Sequence, residues 1–270
     1  MSLAGQRVWV LGCGFLGSAL AGACRAAGAR VLTLDSTAPA DVCGSAAEAG
    51  VLREALSRLV PDAVFCCTAT HGGSAADYRR SYVDVAQQLS QQLPSACRLV
   101  FCSSSSLYVG GGIVTEESPV HVSSERAEIL HCAETLVLEQ GGVVARLVPL
   151  YGPGRCELVR RYLSGEPCLP GSPQRMLNYL HRDDAVTALL LLAREAAPGV
   201  YNVCGESFTK AGIYTRLQNE LELPVPQQES APSARGVSDM QVDCSRLRSL
   251  GWKPVRSLVA FANEWKGDRV

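Results

Sequence analysis

Up to Tyr151, hydrophobic and polar positions alternate in blocks of two kinds. "RVWVLG" is a short β-branched apolar run, and the glycines after it lead into "FLGSALAGACRAAG", a helical stretch. "ARVLTLD" is a second strand that closes on an acid. "SAAEAGVLREALSRLV" sets Val51, Ala55, Leu56 and Leu59 at the spacing of one helix face. Ser45 and Glu48 have the pattern of a capping box at its start. "DAVFCCTA" and "CRLVFCSS" have the character of buried strands, separated by a helix over residues 75–92. A further helix follows over residues 123–140, and "GGVVARLVPLYG" is the next strand. Apolar strands alternating with helices predict a parallel sheet covered on both faces.

After Tyr151 the texture changes. Prolines and glycines punctuate residues 152–173, "DDAVTALLLLARE" is a clear helix, and "GVYNVCG" is a late strand that returns to the sheet. The expected architecture is α/β: a Rossmann-type, doubly wound parallel sheet with a small C-terminal substrate lobe. Residues 1–152 form the core, completed by segments near 180–204, while 153–179 and 205–270 form the lobe. Such lobes stand over the carboxyl ends of the strands, where doubly wound sheets bind ligands.

Composition narrows the class. A chain of 270 residues can bury a large core. A formal charge of −1 argues against general affinity for nucleic acid or for an anionic membrane. Twelve cysteines invite a disulfide or zinc reading, but no C-x-x-C pair or zinc-spaced Cys/His group occurs. Cys66, Cys67 and Cys102 lie in apolar runs, where cysteine acts as a small buried hydrophobe. The apolar stretch at 8–16 is too short to span a bilayer and is broken by glycines. A reduced, cytoplasmic protein acting on a small-molecule substrate is the expectation.

The chemistry begins at Gly12-Cys13-Gly14-Phe15-Leu16-Gly17, a G-x-G-x-x-G with a strand before it and a helix after. Gly12 permits the tight turn, Gly14 lets a pyrophosphate approach the backbone, and Gly17 lets helix and strand pack closely. The helix N–H groups then point at the phosphates. Asp35, closing the next strand, can accept bonds from ribose hydroxyls and would repel a 2′-phosphate. This favours NAD, with NADP still possible because Arg30 is near. A glycine-bearing turn without a ligand is the competing reading.

Together with "PDAVFCCTA", "LVFCSSSSLY", "ARLVPLYGPGR", "LNYLHRDDAV", "GVYNVCGE" and "LRSLGWKP", this opening resembles the extended short-chain dehydrogenase/reductases, the NAD-dependent epimerase/dehydratase family. The resemblance covers nearly the whole chain. It implies that Phe15, Leu16 and Ala69 line the cofactor site, that Asp41-Val42 contacts the adenine, and that Ser104 is the catalytic serine. It also implies Tyr-x-x-x-Lys on the helix after the serine strand, and there the chain departs. Aligning Ala133-Glu134 puts Arg126 at the tyrosine and Leu130 at the lysine. Arginine does not release its proton near neutral pH, and leucine has none to release.

Three residues are candidates for the missing acid/base work. Ser104 can hydrogen-bond a substrate oxygen, unless it is only one member of a solvent-facing serine run. Tyr108 carries a phenol, with packing as its other role. His71, in "TATHGG" at the carboxyl edge of the fourth strand, titrates in the right range, although a lone loop histidine is commonly incidental. Arg155 after the Y-G-P-G turn, Arg126 and Asn178 are the substrate-binding candidates, with surface salt bridges as the alternative for the arginines. Two functions follow: a hydride-transferring oxidoreductase or epimerase acting on a nucleotide-sugar or similar hydroxyl or carbonyl compound, or an inactive NAD(P)-binding sensor or scaffold. Members of the resembled family often pair through the helices that here fall near 75–92 and 123–140, so a homodimer is possible, with monomer and dimer both open.

Overall fold

The computed structural model describes residues 3–37, 39–70, 72–122, 124–227 and 239–267. The chain opens with β1 (Arg7–Leu11), α1 (Phe15–Ala26), β2 (Arg30–Asp35), β3 (Val42–Cys43), α2 (Ala49–Arg58) and β4 (Ala63–Cys66). Next come α3 (Ala75–Arg79), a π-helical turn (Arg80–Asp84), α4 (Val85–Gln92), β5 (Arg98–Ser104), β6 (Gly112–Val114), α5 (Glu125–Glu139) and β7 (Val143–Leu147). The rest comprises β8 (Leu150–Tyr151), α6 (Glu157–Ser164), β9 (Met176–His181), α7 (Arg182–Glu195), β10 (Gly199–Val203) and β11 (Glu206–Thr209). It ends with α8 (Lys210–Leu221), β12 (Met240–Val242), α9 (Ser245–Ser249) and α10 (Leu258–Gly267).

Seven strands form one parallel sheet in the order β10-β7-β5-β4-β1-β2-β3. Side chains alternate across a strand, so β1 supplies both faces. Val8 and Val10 join Leu20 and Cys24 of α1 and Leu189 and Leu192 of α7. Trp9 and Leu11 join Leu52 of α2, Leu89 of α4 and Val137 of α5. This two-sided burial is why the strands lack an alternating polar face. A third core gathers Tyr151, Leu158, Tyr162, Phe208, Leu217 and Phe261 around the small sheet β11-β9-β8.

Three local expectations are corrected. Ser45 and Glu48 form no capping box on α2: Ser45 Oγ accepts from Ala47 N–H at 3.3 Å in a preceding turn, and Glu48 stands at the N-cap with its side chain bonded to Arg80 at 2.7 Å rather than to the helix end. The helix over 75–92 is interrupted by its π-helical turn. "VVARLVPLY" splits at Val148-Pro149, so that β7 stays in the large sheet while β8 pairs with β9 in the small one. The late strand does return, as β10 at the edge beside β7.

One buried ion pair locks α5 to the sheet. Glu134, 1% exposed, faces Arg146 of β7, 4% exposed, with guanidinium-to-carboxylate distances of 3.0 and 2.6 Å. Ser103 of β5 donates to the same carboxylate at 2.5 Å. Burial disfavours the Arg146 charge, but the bond and field of Glu134 outweigh it and raise its affinity for its proton. Removing one partner strands the other in the core. Glu134→Ala should therefore lower the unfolding free energy by about 3–5 kcal/mol in urea titration, well beyond the cost of a surface pair.

Candidate functional site

A cleft of about 620 Å³ opens at the carboxyl ends of the central strands, and the first βα turn forms one wall. Gly12 has φ +84°, and a Cβ there would stand 2.7 Å from the carbonyl oxygen of Cys67. A Cβ on Gly17 would stand 1.8 Å from the Gly12 carbonyl oxygen. Turn, helix and neighbouring strand therefore meet in backbone contact that only glycine allows. Gly14 differs: nothing lies within 4 Å of its would-be Cβ. No side chain caps α1 and no acid stands in its first turn, so its positive end is directed at whatever enters. Phe15 and Leu16 also line this wall.

Asp35 lies across the turn, at the end of β2, and lines the cleft. Its carboxylate accepts from Cys13 N–H at 2.5 Å and from Thr37 N–H and Oγ1 at 2.7 and 3.1 Å. These bonds fix the acid's direction. Ser36, Thr37, Gly44, Ser45 and Ala46 continue the wall on this side.

The opposite end is built by β5, α5 and the segment after β4. Ser104 lines it and accepts from Ser106 N–H at 3.1 Å, so its own hydrogen remains for another acceptor. Ala69 lines it as expected. Leu130 of α5, 2% exposed, lines this wall and makes that surface apolar. Arg155 lines the mouth, its guanidinium 5.0 Å from the Phe15 ring centre, with Arg182 at 5.3 Å from the same ring. Phe15 thus holds two cations near the turn.

Several candidates are placed elsewhere. Tyr108 is 1% exposed, its hydroxyl donates to Asn202 Oδ1 at 2.8 Å, and Arg146 packs over its ring at 4.9 Å, so it is a core residue outside the cleft. Asp41 and Val42 do not line the cleft. Burial opposes the Asp41 charge, but bonds from Thr33 Oγ1 and N–H at 2.7 and 2.8 Å outweigh it and hold the carboxyl below its usual range, bracing β2 against β3. Val42 is 1% exposed in the core. Arg126 turns away, donating to the Gly73 carbonyl at 2.9 Å beside the Tyr78 ring. Asn178 is committed to β11 and β12, donating to Met240 O at 2.8 Å and accepting from Ser207 Oγ and Val242 N–H at 2.8 and 3.1 Å. His71 lies outside the described residues.

Among the cleft residues that escaped the sequence reading, Tyr82 and Cys67 carry the most chemistry. Tyr82 sits in the π-helical turn and lines the cleft, its ring centre 4.7 Å from that of Tyr78. Burial, then the neighbouring Tyr78, push its phenol above the ordinary range. Its signal was the pair of tyrosines four apart in "DYRRSY", but the π turn that aims it leaves no mark in composition. Cys67 is the other. Adjacent to Cys66, it lies just beyond β4 and reaches the cleft while Cys66 stays in the core.

The sequence matches the NAD dependent epimerase/dehydratase family over residues 8–204, and the chain belongs to that family. No curated protein matches the chain in sequence. Solved structures resemble it in fold along almost its whole length. UDP-N-acetylglucosamine 4-epimerase of Methanobrevibacter ruminantium, in complex with UDP-N-acetylmuramic acid, has a TM-score of 0.81 at 18% identity, covering 99% of this chain and 100% of that one. UDP-glucose 4-epimerase of Thermus thermophilus, in complex with NAD, scores 0.80 at 20% identity, covering 98% and 100%. UDP-glucose 4-epimerase of Thermotoga maritima, with UDP-glucose, scores 0.79 at 18%, again covering 98% and 100%. No helix among the described residues is long and apolar enough to cross a membrane, and no group of metal-ligating side chains occurs among them.

The contacts at the turn predict opposite outcomes for two like substitutions. Gly17→Ala should fail to fold or melt far below the parent, because the new methyl overlaps backbone. Gly14→Ala should melt with a stability loss of no more than about 1 kcal/mol. Thermal denaturation followed by circular dichroism distinguishes them.

Proposed function

We propose that the chain binds NAD in this cleft and transfers hydride to and from a hydroxyl or carbonyl carbon of a small polar compound, with a nucleotide-sugar as the favoured class. The observation that carries the reading is the uncapped positive end of α1 above the open space at Gly14, with Asp35 fixed across the turn. The first matches a diphosphate and the second a ribose. The Asp35 carboxylate disfavours the 2′-phosphate of NADP, so NAD is the expected coenzyme. Family membership and neighbours described as nucleotide-sugar epimerases add support for the substrate class.

Bound NAD supplies the hydride acceptor or donor. The chain supplies position, charge and hydrogen bonds. Gly12, Gly14 and Gly17 present the turn, while Leu16 and Ala69 shape its flanks. Ser104 donates its free hydrogen to the substrate oxygen that changes between hydroxyl and carbonyl. Tyr82 brings a buried phenol to the cleft wall, held protonated by burial and the neighbouring Tyr78. Arg155 offers a bidentate guanidinium to a phosphate or carboxylate of the substrate. Leu130 excludes water from that wall, and in a drier cleft each remaining hydrogen bond gains strength.

Leu130 also favours a second reading. With an apolar side chain at the lysine position and Arg126 directed away, the chain could hold NAD as a ligand without turnover, as a sensor or scaffold. Incubation with NAD⁺ and NADH and a panel of UDP- and dTDP-sugars separates the two. The proposal predicts product by chromatography, with kcat reduced about 100-fold in Ser104→Ala. Tight NAD binding without product anywhere in the panel would replace it with the ligand reading.

A further inference from the structure

The floor of the cleft contains two thiols in contact. β4 and β5 are parallel neighbours with Cys66 opposite Phe101, so the next pair in register is Cys67 and Cys102. Their sulfur atoms are 3.6 Å apart, and both residues line the cleft. Cys102 is 9% exposed and Cys67 is half-buried. Neighbouring strands run about 4.8 Å apart, inside the Cα separation of about 4.4–6.8 Å that a disulfide accepts. Closing the sulfurs to about 2.05 Å thus needs side-chain rotation and little backbone movement.

We propose that Cys67 and Cys102 form an oxidative modification site, in which hydrogen peroxide entering the cleft joins them as a disulfide beneath the phosphate-binding turn. The Cys67 thiolate attacks one peroxide oxygen. The O–O bond breaks, Cys67 becomes a sulfenic acid, and the departing hydroxide takes up a proton as water. The Cys102 sulfur then attacks the Cys67 sulfur. The S–O bond breaks, and the displaced hydroxide combines with the Cys102 proton as a second water. Two thiols lose two electrons in all, and one peroxide gains them. The hydrogen bond with Cys102, together with burial, holds the Cys67 thiol protonated well above its ordinary range, so the reaction is slow and depends on a small oxidant. None of the twelve cysteines is joined in a disulfide, which leaves other pairings as the control.

The test treats the folded protein with limiting peroxide, blocks remaining thiols, and maps disulfides by mass spectrometry after tryptic digestion. The expected product joins the peptide carrying Cys66 and Cys67 to the one carrying Cys102. It persists in Cys66→Ala, is lost in Cys67→Ala and in Cys102→Ala, and is reversed by dithiothreitol. Oxidation of exposed Cys43 and Cys132 without this bridge would overturn the proposal, as would a bridge that survives in Cys67→Ala. A further arm rests on the NAD reading: added NAD⁺ covers the floor and slows bridging. A bridge that forms at the same rate with and without NAD⁺ supports the site while removing NAD from above it.

Discussion

Backbone contact at the first βα turn sets the position of everything else in the cleft. Gly17 packs against the carbonyl of Gly12, and Gly12 against the peptide of Cys67, with no room for a Cβ at either glycine. Three segments from different elements are thereby fixed to within the tolerance of van der Waals contact. The end of α1, the Asp35 carboxylate and the floor at Cys67 and Cys102 take their places from that junction. The uncapped start of α1 and the open space at Gly14 are thus set by the fold itself.

In the other half of the cleft Leu130 makes an apolar wall, and the π-helical turn brings a phenol at Tyr82 to the lining. Behind them the Glu134–Arg146 pair, bonded to Ser103, holds α5 against β5 and β7. The buried charges are far from redundant, since they fix the helix on which Leu130 stands. Under the proposed function, Ser104, Tyr82 and Arg155, which all line this end, supply hydrogen bonding and positioning.

Much of this was legible in the residues. Strand and helix periodicity located β1, α1, β2, β4, β5 and α7, because each buries a face whose spacing is written in its apolar positions. The glycine turn, Asp35, Ser104, Ala69 and Arg155 all reach the cleft, because local backbone rules place them there. Residues whose roles depend on tertiary partners were misplaced. Asn178 looked like a substrate ligand until β11 and β12 used its amide, and for Tyr108, weighed as acid/base against packing, Asn202 takes the hydroxyl and leaves the packing role. Asp41 followed the family pattern, but Thr33 claims its carboxylate. Cys67 passed as core because a strand-end residue beside a buried one carries no sign of which face it will take.

The central claim is that the cleft under α1 receives a dinucleotide diphosphate. Titration calorimetry of the purified chain with NAD⁺ tests it most directly. The account predicts saturable heat with one site per chain, and weaker binding of NADP⁺ because Asp35 meets its 2′-phosphate. Absence of heat with either coenzyme would contradict it.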